Sequence, residues 1–184
     1  MGAIKHLLRY IAGTLDLGLR YARHGNTSLD LVGYNDSDLG GDTDDRKSTT
    51  GIIFFLGDMP VSWQSQKQRV VALSSCEAEY IAGAGAVCQA VWLGRLLNVD
   101  IKLRPPKLKM DNMSAIALSK NPILHDRSKH IDTKYHYIRE CVENGRIELD
   151  FTSSQEQLAD VLTKSLGRVK FQELRGKIGV VEVK

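Results

Sequence analysis

The chain has 184 residues, 42% hydrophobic and 26% charged, which suits one domain with a modest extension and argues against a disordered chain. No apolar run approaches the roughly 18 residues of a membrane helix, and the start Met1-Gly2-Ala3-Ile4-Lys5-His6 lacks a signal-peptide pattern, so no membrane partner is expected. Lys and Arg number 25 against 22 Asp and Glu, a net charge of +3 that by itself marks neither a strongly basic nor a strongly acidic protein.

In chain order, Ile4, Leu7, Leu8 and Ile11 fall at helical spacing, and Gly13-Thr14 ends that helix. Leu17 to Tyr21 reads as a short strand. Leu29 to Tyr34 alternates and runs as a strand into Asp36; the polar stretch from Ser37 to Thr49 is a loop. Gly51 to Leu56 is an apolar strand, Gly57-Asp58 a turn, and Pro60 to Ser65 the returning strand. Ser74 or Ser75 caps a long helix reaching about Leu97, in which Ala78, Ala82, Ala86 and Ala90 form a small-residue row suited to close packing on a sheet. Leu108 to Met110 is a buried strand ending at Asp111, and Ser114 to Lys120 a helix. A second helix runs from about Thr133 to Glu143, closed by Asn144-Gly145. Ile147, Leu149 and Phe151 alternate as a strand. Gln155 to Leu166 is expected as a last helix, followed by a basic tail. Hairpin-linked strands followed by helix-linked strands imply an α/β mixed sheet with helices on its faces.

The charge is unevenly spread. Residues 30–45 hold six aspartates and no Lys or Arg, while residues 101–139 hold nine Lys and Arg against three Asp. This suggests a cation site beside a track for a polyanion. Four carboxylates stand at suggestive places: Asp36 and Asp111 at strand ends, Glu79 in the first turns of the long helix, Asp160 on the last one. Ligand sites in open sheets form beyond strand ends, so these side chains can meet. Clustered carboxylates repel unless a cation offsets them, and oxygen ligands suit Mg²⁺ or Mn²⁺. Two such ions about 3.5–4 Å apart would support in-line attack on a phosphodiester. Taken singly, each aspartate is as well explained as a turn former or helix cap. The three cysteines, Cys76, Cys88 and Cys141, show no C-x-x-C, which argues against a disulfide framework or zinc site and fits a reducing intracellular compartment, cytoplasm or nucleus. Cys88 and Cys141 read as buried thiols, and Trp63 as a packing residue.

Several strings carry a resemblance. They are Gly33-Tyr34-Asn35-Asp36-Ser37-Asp38 with Arg46-Lys47-Ser48-Thr49-Thr50-Gly51; Val61-Ser62-Trp63-Gln64-Ser65-Gln66; Leu73-Ser74-Ser75-Cys76-Glu77-Ala78-Glu79-Tyr80; Met110-Asp111-Asn112; Arg127-Ser128-Lys129-His130-Ile131-Asp132; and Leu158-Ala159-Asp160-Val161-Leu162-Thr163-Lys164. In this order they resemble the ribonuclease H domain of Ty1/copia-type retrotransposon Pol polyproteins. The resemblance implies the ribonuclease H-like fold, a five-stranded mixed sheet of order 3-2-1-4-5 with the second strand antiparallel. It also implies two-metal hydrolysis of the RNA strand of an RNA–DNA hybrid, with Asp36, Glu79, Asp111 and Asp160 as catalytic metal ligands for two Mg²⁺ ions, Mn²⁺ being a possible substitute. Glu79 is preferred over Glu77, and Asp36 over Asp38. Arg127, Lys129, His130, Lys134 and Arg139 are the expected contacts to the hybrid. Residues 1–27 resemble the C-terminal end of the preceding reverse transcriptase, 28–167 form the ribonuclease H domain, and 168–184 a basic tail. Leu39 and Cys76 stand where the family commonly has Trp and Thr. The alternative is a degenerate, non-catalytic module of the same fold that binds nucleic acid.

Overall fold

The computed structural model describes residues 2–21, 29–98, 104–120 and 136–183. A five-stranded sheet forms the centre: β2 (Leu31–Ser37), β3 (Thr49–Leu56), β4 (Met59–Lys67), β5 (Lys107–Met110) and β6 (Glu148–Phe151), in the spatial order β4-β3-β2-β5-β6. β3 runs antiparallel to β2 and β4, whereas β2, β5 and β6 are parallel. This is the order and polarity implied by the resemblance.

Helix α2 (Ser75–Leu97) crosses one face of the sheet. The alanine row works as its spacing predicts: Ala78, Ala82, Ala86 and Ala90 are all buried, which lets the helix axis lie close to the strands. Leu31, Ile52, Phe54, Tyr80, Val87, Leu93, Leu108 and Met110 fill that layer. By length and composition α2 could cross a membrane, but most of its apolar surface is buried against the sheet, as in the core helix of a globular domain. Helices α3 (Met113–Lys120) and α4 (Tyr137–Glu143) complete the layer. The predicted start of α4 near Thr133 lies outside the described residues.

The opposite face is covered differently from the sequence expectation. The predicted helix from Gln155 is instead a short 3-10 helix, Leu158–Leu162. Gln157 is fully buried; its Nε2 donates to the Asn35 carbonyl at 2.8 Å and its side-chain oxygen caps the Ala159 N–H. With Gln157 held in extended backbone, the chain turns by i to i+3 bonds, Asp160 N–H to Gln157 O and Thr163 N–H to Asp160 O. The stretch expected as a tail forms helix α5 (Arg168–Ile178) and strand β7 (Val180–Glu182). Leu174 and Ile178, one turn apart, bury against Ile53, Phe55 and Leu158. Gly179, at φ 90°, ends α5 in the left-handed conformation that glycine adopts without strain. β7 then pairs antiparallel with β1 (Leu17–Leu19), so the two flanks of the chain join beside the domain.

Helix α1 (Gly2–Ala12) forms where predicted and buries none of its residues; Ile4, Leu7, Leu8 and Ile11 point outward. Two smaller expectations are corrected. Cys88 lies on the exposed side of α2, while Cys141 is buried, and no cysteine is paired. Trp63 is 55% exposed on β4, an edge strand of the sheet.

Candidate active site

Period-two alternation along β2 directs successive side chains to opposite faces. Asn35 points toward α2, where its Nδ2 donates to Glu79 at 3.4 Å. Asp36 points toward the 3-10 helix, where the Thr163 hydroxyl donates to its Oδ2. The parallel β2–β5 register pairs Tyr34 with Lys109, so Asp36 and Asp111 extend the same ladder as neighbours at the strand ends. Glu79 comes over the end of β2 from the first turns of α2, fixed by the Ser37 N–H at 2.9 Å. The result is a compact cluster: one carboxylate oxygen from each of Asp36, Glu79 and Asp111 lies within 4.8 Å of the others. Asp36 and Glu79 are buried and Asp111 is half-buried, held by the Ser154 hydroxyl at 2.9 Å.

The electrostatics are those of a site short of positive charge. Burial pushes the Glu79 carboxyl up to about 9, and the charges of Asp36 and Asp111 add to the rise against the Ser37 N–H. Burial likewise raises Asp111 and Asp160, with Asp36 adding to both, while the Asp111–Ser154 and Asp160–Lys164 contacts work the other way. A divalent cation among Asp36, Glu79 and Asp111 would offset this cost, and an all-oxygen donor set of this size suits a hard ion. The residues present therefore fit a metal.

Asp160 is buried beside the cluster but stands outside the three-ligand set, its Oδ1 taken by Lys164 Nζ at 2.9 Å. Lys164 also reaches Asp36 Oδ2 at 3.6 Å. Neither Thr163 nor Lys164 was singled out as a site residue by sequence. Their spacing of three and four from Asp160 was the available signal, since it returns to the same side of a helical turn.

The competing carboxylates have other work. Glu77 Oε2 accepts the Leu73 N–H at 2.9 Å while the Ser74 hydroxyl accepts the Glu77 N–H at 3.2 Å, a reciprocal cap on α2. Asp38 accepts the Thr49 N–H across the loop. The acidic loop beyond it is neutralised internally: Lys67 Nζ lies 2.5 Å from Asp42 and 3.0 Å from Asp45, and Asp42 accepts the N–H groups of Asp44 and Asp45. Of that run, Asp36 alone joins the carboxylate cluster among the described residues.

Arg127, Lys129, His130 and Lys134 lie outside the described residues. Arg139 does not meet the expectation of a backbone contact. It is 6% exposed, and its guanidinium donates to the Leu118 carbonyl at 3.2 Å, linking α4 to α3. His136 stands against the core, its Nδ1 2.9 Å from the Tyr80 hydroxyl.

Strand order, the single antiparallel strand β3 and an acidic cluster at the parallel strand ends define the ribonuclease H fold. The likeness to solved structures agrees. The N-terminal RNase H domain of rv2228c from Mycobacterium tuberculosis superposes with a TM-score of 0.51 at 16% identity, covering 79% of this chain and 99% of that one. LC11-RNase H1, solved in complex with an RNA/DNA hybrid, gives 0.50 at 15% identity, covering 73% of this chain and 94% of that one. No protein-family model matches the chain. The sequence narrows the class: the chain is 46% identical over 183 residues to the retrovirus-related Pol polyprotein from transposon RE2 of Arabidopsis thaliana, covering 98% of this chain. It belongs with the Ty1/copia-type retrotransposon Pol polyproteins, as a ribonuclease H-fold domain, and spans 12% of the length of that relative.

Proposed function

We propose that the chain is a ribonuclease H-type endoribonuclease that hydrolyses the RNA strand of an RNA–DNA hybrid during retrotransposon reverse transcription. The observation that carries this reading is the convergence of Asp36, Glu79 and Asp111 within 4.8 Å, with Asp160 beside them. Mg²⁺, or Mn²⁺ in its place, would be held by these four carboxylates, two ions being the arrangement expected; when bound, such ions make water a nucleophile at neutral pH and balance charge on the leaving oxygen. The chain's own residues do the rest. Ser37 and Ser154 hold Glu79 and Asp111 in their orientations, and Thr163 does so for Asp36. Attack of water on the RNA phosphodiester would leave 3′-hydroxyl and 5′-phosphate ends.

A hybrid suits the reading because A-like shape and 2′-hydroxyls can be read in a wide minor groove without base specificity. The related LC11-RNase H1 was solved with such a hybrid. Arg127, Lys129, His130 and Lys134 remain the proposed backbone contacts. The polymerase portion of a Pol polyprotein is the proposed partner, with the outward apolar row of α1, in the segment resembling the end of reverse transcriptase, as its seat. Three unpaired cysteines are in keeping with an intracellular setting.

The test is cleavage of an end-labelled RNA–DNA hybrid by the full chain in Mg²⁺, beside Asp36→Asn. Cleavage by the wild-type chain and none by the folded variant supports the reading. Undiminished cleavage by Asp36→Asn sinks it, and hybrid binding without cleavage in either Mg²⁺ or Mn²⁺ favours the non-catalytic alternative.

A further inference from the structure

The acidic site has two places where positive charge is wanted, and the chain fills one of them itself. The first lies among Asp36, Glu79 and Asp111, where neither Glu79 nor Asp111 makes an ion pair among the described residues. The second lies between Asp36 and Asp160. There Lys164 Nζ sits 2.9 Å from Asp160 Oδ1 and 3.6 Å from Asp36 Oδ2. Asp36 is common to both places, one of its oxygens already receiving the Thr163 hydroxyl.

We propose that Lys164 is a built-in cation that occupies the position between Asp36 and Asp160, so that a divalent ion enters there only by displacing its ammonium group. Lys164 then sets how many divalent ions the site holds and how tightly the second is bound. This rests on the metal-site reading above and goes beyond it.

The geometry allows such an exchange. Both carboxylates are buried, but the Lys164 side chain is 44% exposed, so its head can swing to water on a flexible four-carbon stem. A lysine delivers one positive charge as a point, without the bidentate fork of arginine that would lock it to a carboxylate. The lysine follows Asp160 by one helical turn, so the same segment carries both the carboxylate and the cation that competes for it.

Mn²⁺ titration of the full chain, followed by calorimetry and by electron paramagnetic resonance of the free ion, tests this. The wild-type chain should bind one Mn²⁺ well and a second at least tenfold more weakly. Lys164→Gln should tighten the second binding about tenfold and leave the first unchanged, while Lys164→Arg, whose fork grips a carboxylate more firmly, should weaken the second binding further. Identical stoichiometry and affinities in wild type and Lys164→Gln overturn the proposal while leaving the metal-site reading intact. No Mn²⁺ bound by any of the three chains overturns the metal-site reading instead. A measurement on the unmutated chain guards against a folding defect: reductive methylation of Lys164, read by peptide mass spectrometry, should be slow without metal and several-fold faster at saturating Mg²⁺. A rate unaffected by Mg²⁺ also counts against displacement.

Discussion

Gly51 stands directly across from Asp36 in the β2–β3 register, and Thr163 fills the space that its missing side chain leaves. A Cβ at Gly51 would lie 2.7 Å from Thr163 Cγ2, 2.8 Å from the Ala159 carbonyl oxygen and 2.9 Å from Leu162 Cβ. The close approach of the 3-10 helix to β3 is what lets Thr163 and Lys164 reach a carboxylate more than a hundred residues earlier.

Gly51→Ala should therefore cost about 1–3 kcal/mol of stability by overpacking and lower hybrid cleavage with it, because the 3-10 helix must back away from Asp36. Gly85→Ala is the matched control. Its Cβ meets Ile52 Cδ1 at an ordinary 3.6 Å on the exposed side of α2, and alanine is the better helix former there. Urea denaturation of both variants, with cleavage rates, decides; equal stability for the two would remove the packing argument.

Stability without metal should fall as pH rises. Glu79 ionises near 4.5 in an unfolded chain but is pushed up to about 9 in the folded one. Between those values the folded state keeps a proton that the unfolded state has lost, so raising the pH favours unfolding. In chelator, the denaturation midpoint should drop between pH ~5 and ~8, and Glu79→Gln should flatten that slope. Mg²⁺ should restore the wild-type midpoint at the upper end. A slope just as steep in Glu79→Gln would show that the pH response belongs to other groups.

Glu77 and Glu79 should separate cleanly. Ser74→Ala removes the side-chain cap of α2 and should cost about 1 kcal/mol. Glu77→Gln should weaken the same cap slightly, and both variants should cleave a hybrid at close to the wild-type rate. Glu79→Gln should abolish cleavage. If Glu77→Gln is the inactive one, the ligand assignment is reversed.

The C-terminal segment should behave as part of the core. Leu174 on α5 is fully buried, so Leu174→Ala should cost about 2–5 kcal/mol in a single unfolding transition. An unchanged midpoint would mean that residues 168–184 are an appendage after all.

These predictions divide along what the sequence could reveal. The alanine row of α2 and the β3–β4 hairpin were legible because each follows from local spacing and turn chemistry. Asp36 and Asp111 were legible as strand-end residues, and parallel pairing made them neighbours. Helix α5 was not: Arg168, Lys170, Arg175 and Lys177 crowd it with charge, and its buried stripe narrows to Leu174 and Ile178. The 3-10 turn was hidden because it depends on Gln157 reaching Asn35, a contact between distant parts of the chain. Lys164 escaped for the same reason, since its partner Asp36 is remote. Arg139 misled because a basic side chain near other basic residues looks solvent-facing until the Leu118 carbonyl beneath it is seen.

The pairing of β1 with β7 has a mechanical side. Leu17 lies opposite Glu182 and Leu19 opposite Val180, so the chain enters and leaves this ribbon at the same end. Tension between the two flanks would load its hydrogen bonds one after another, as in a zipper, rather than all at once. A pull from neighbouring segments would thus peel the ribbon first and reach the sheet that holds Asp36 only afterwards, leaving the acidic cluster shielded from modest strain.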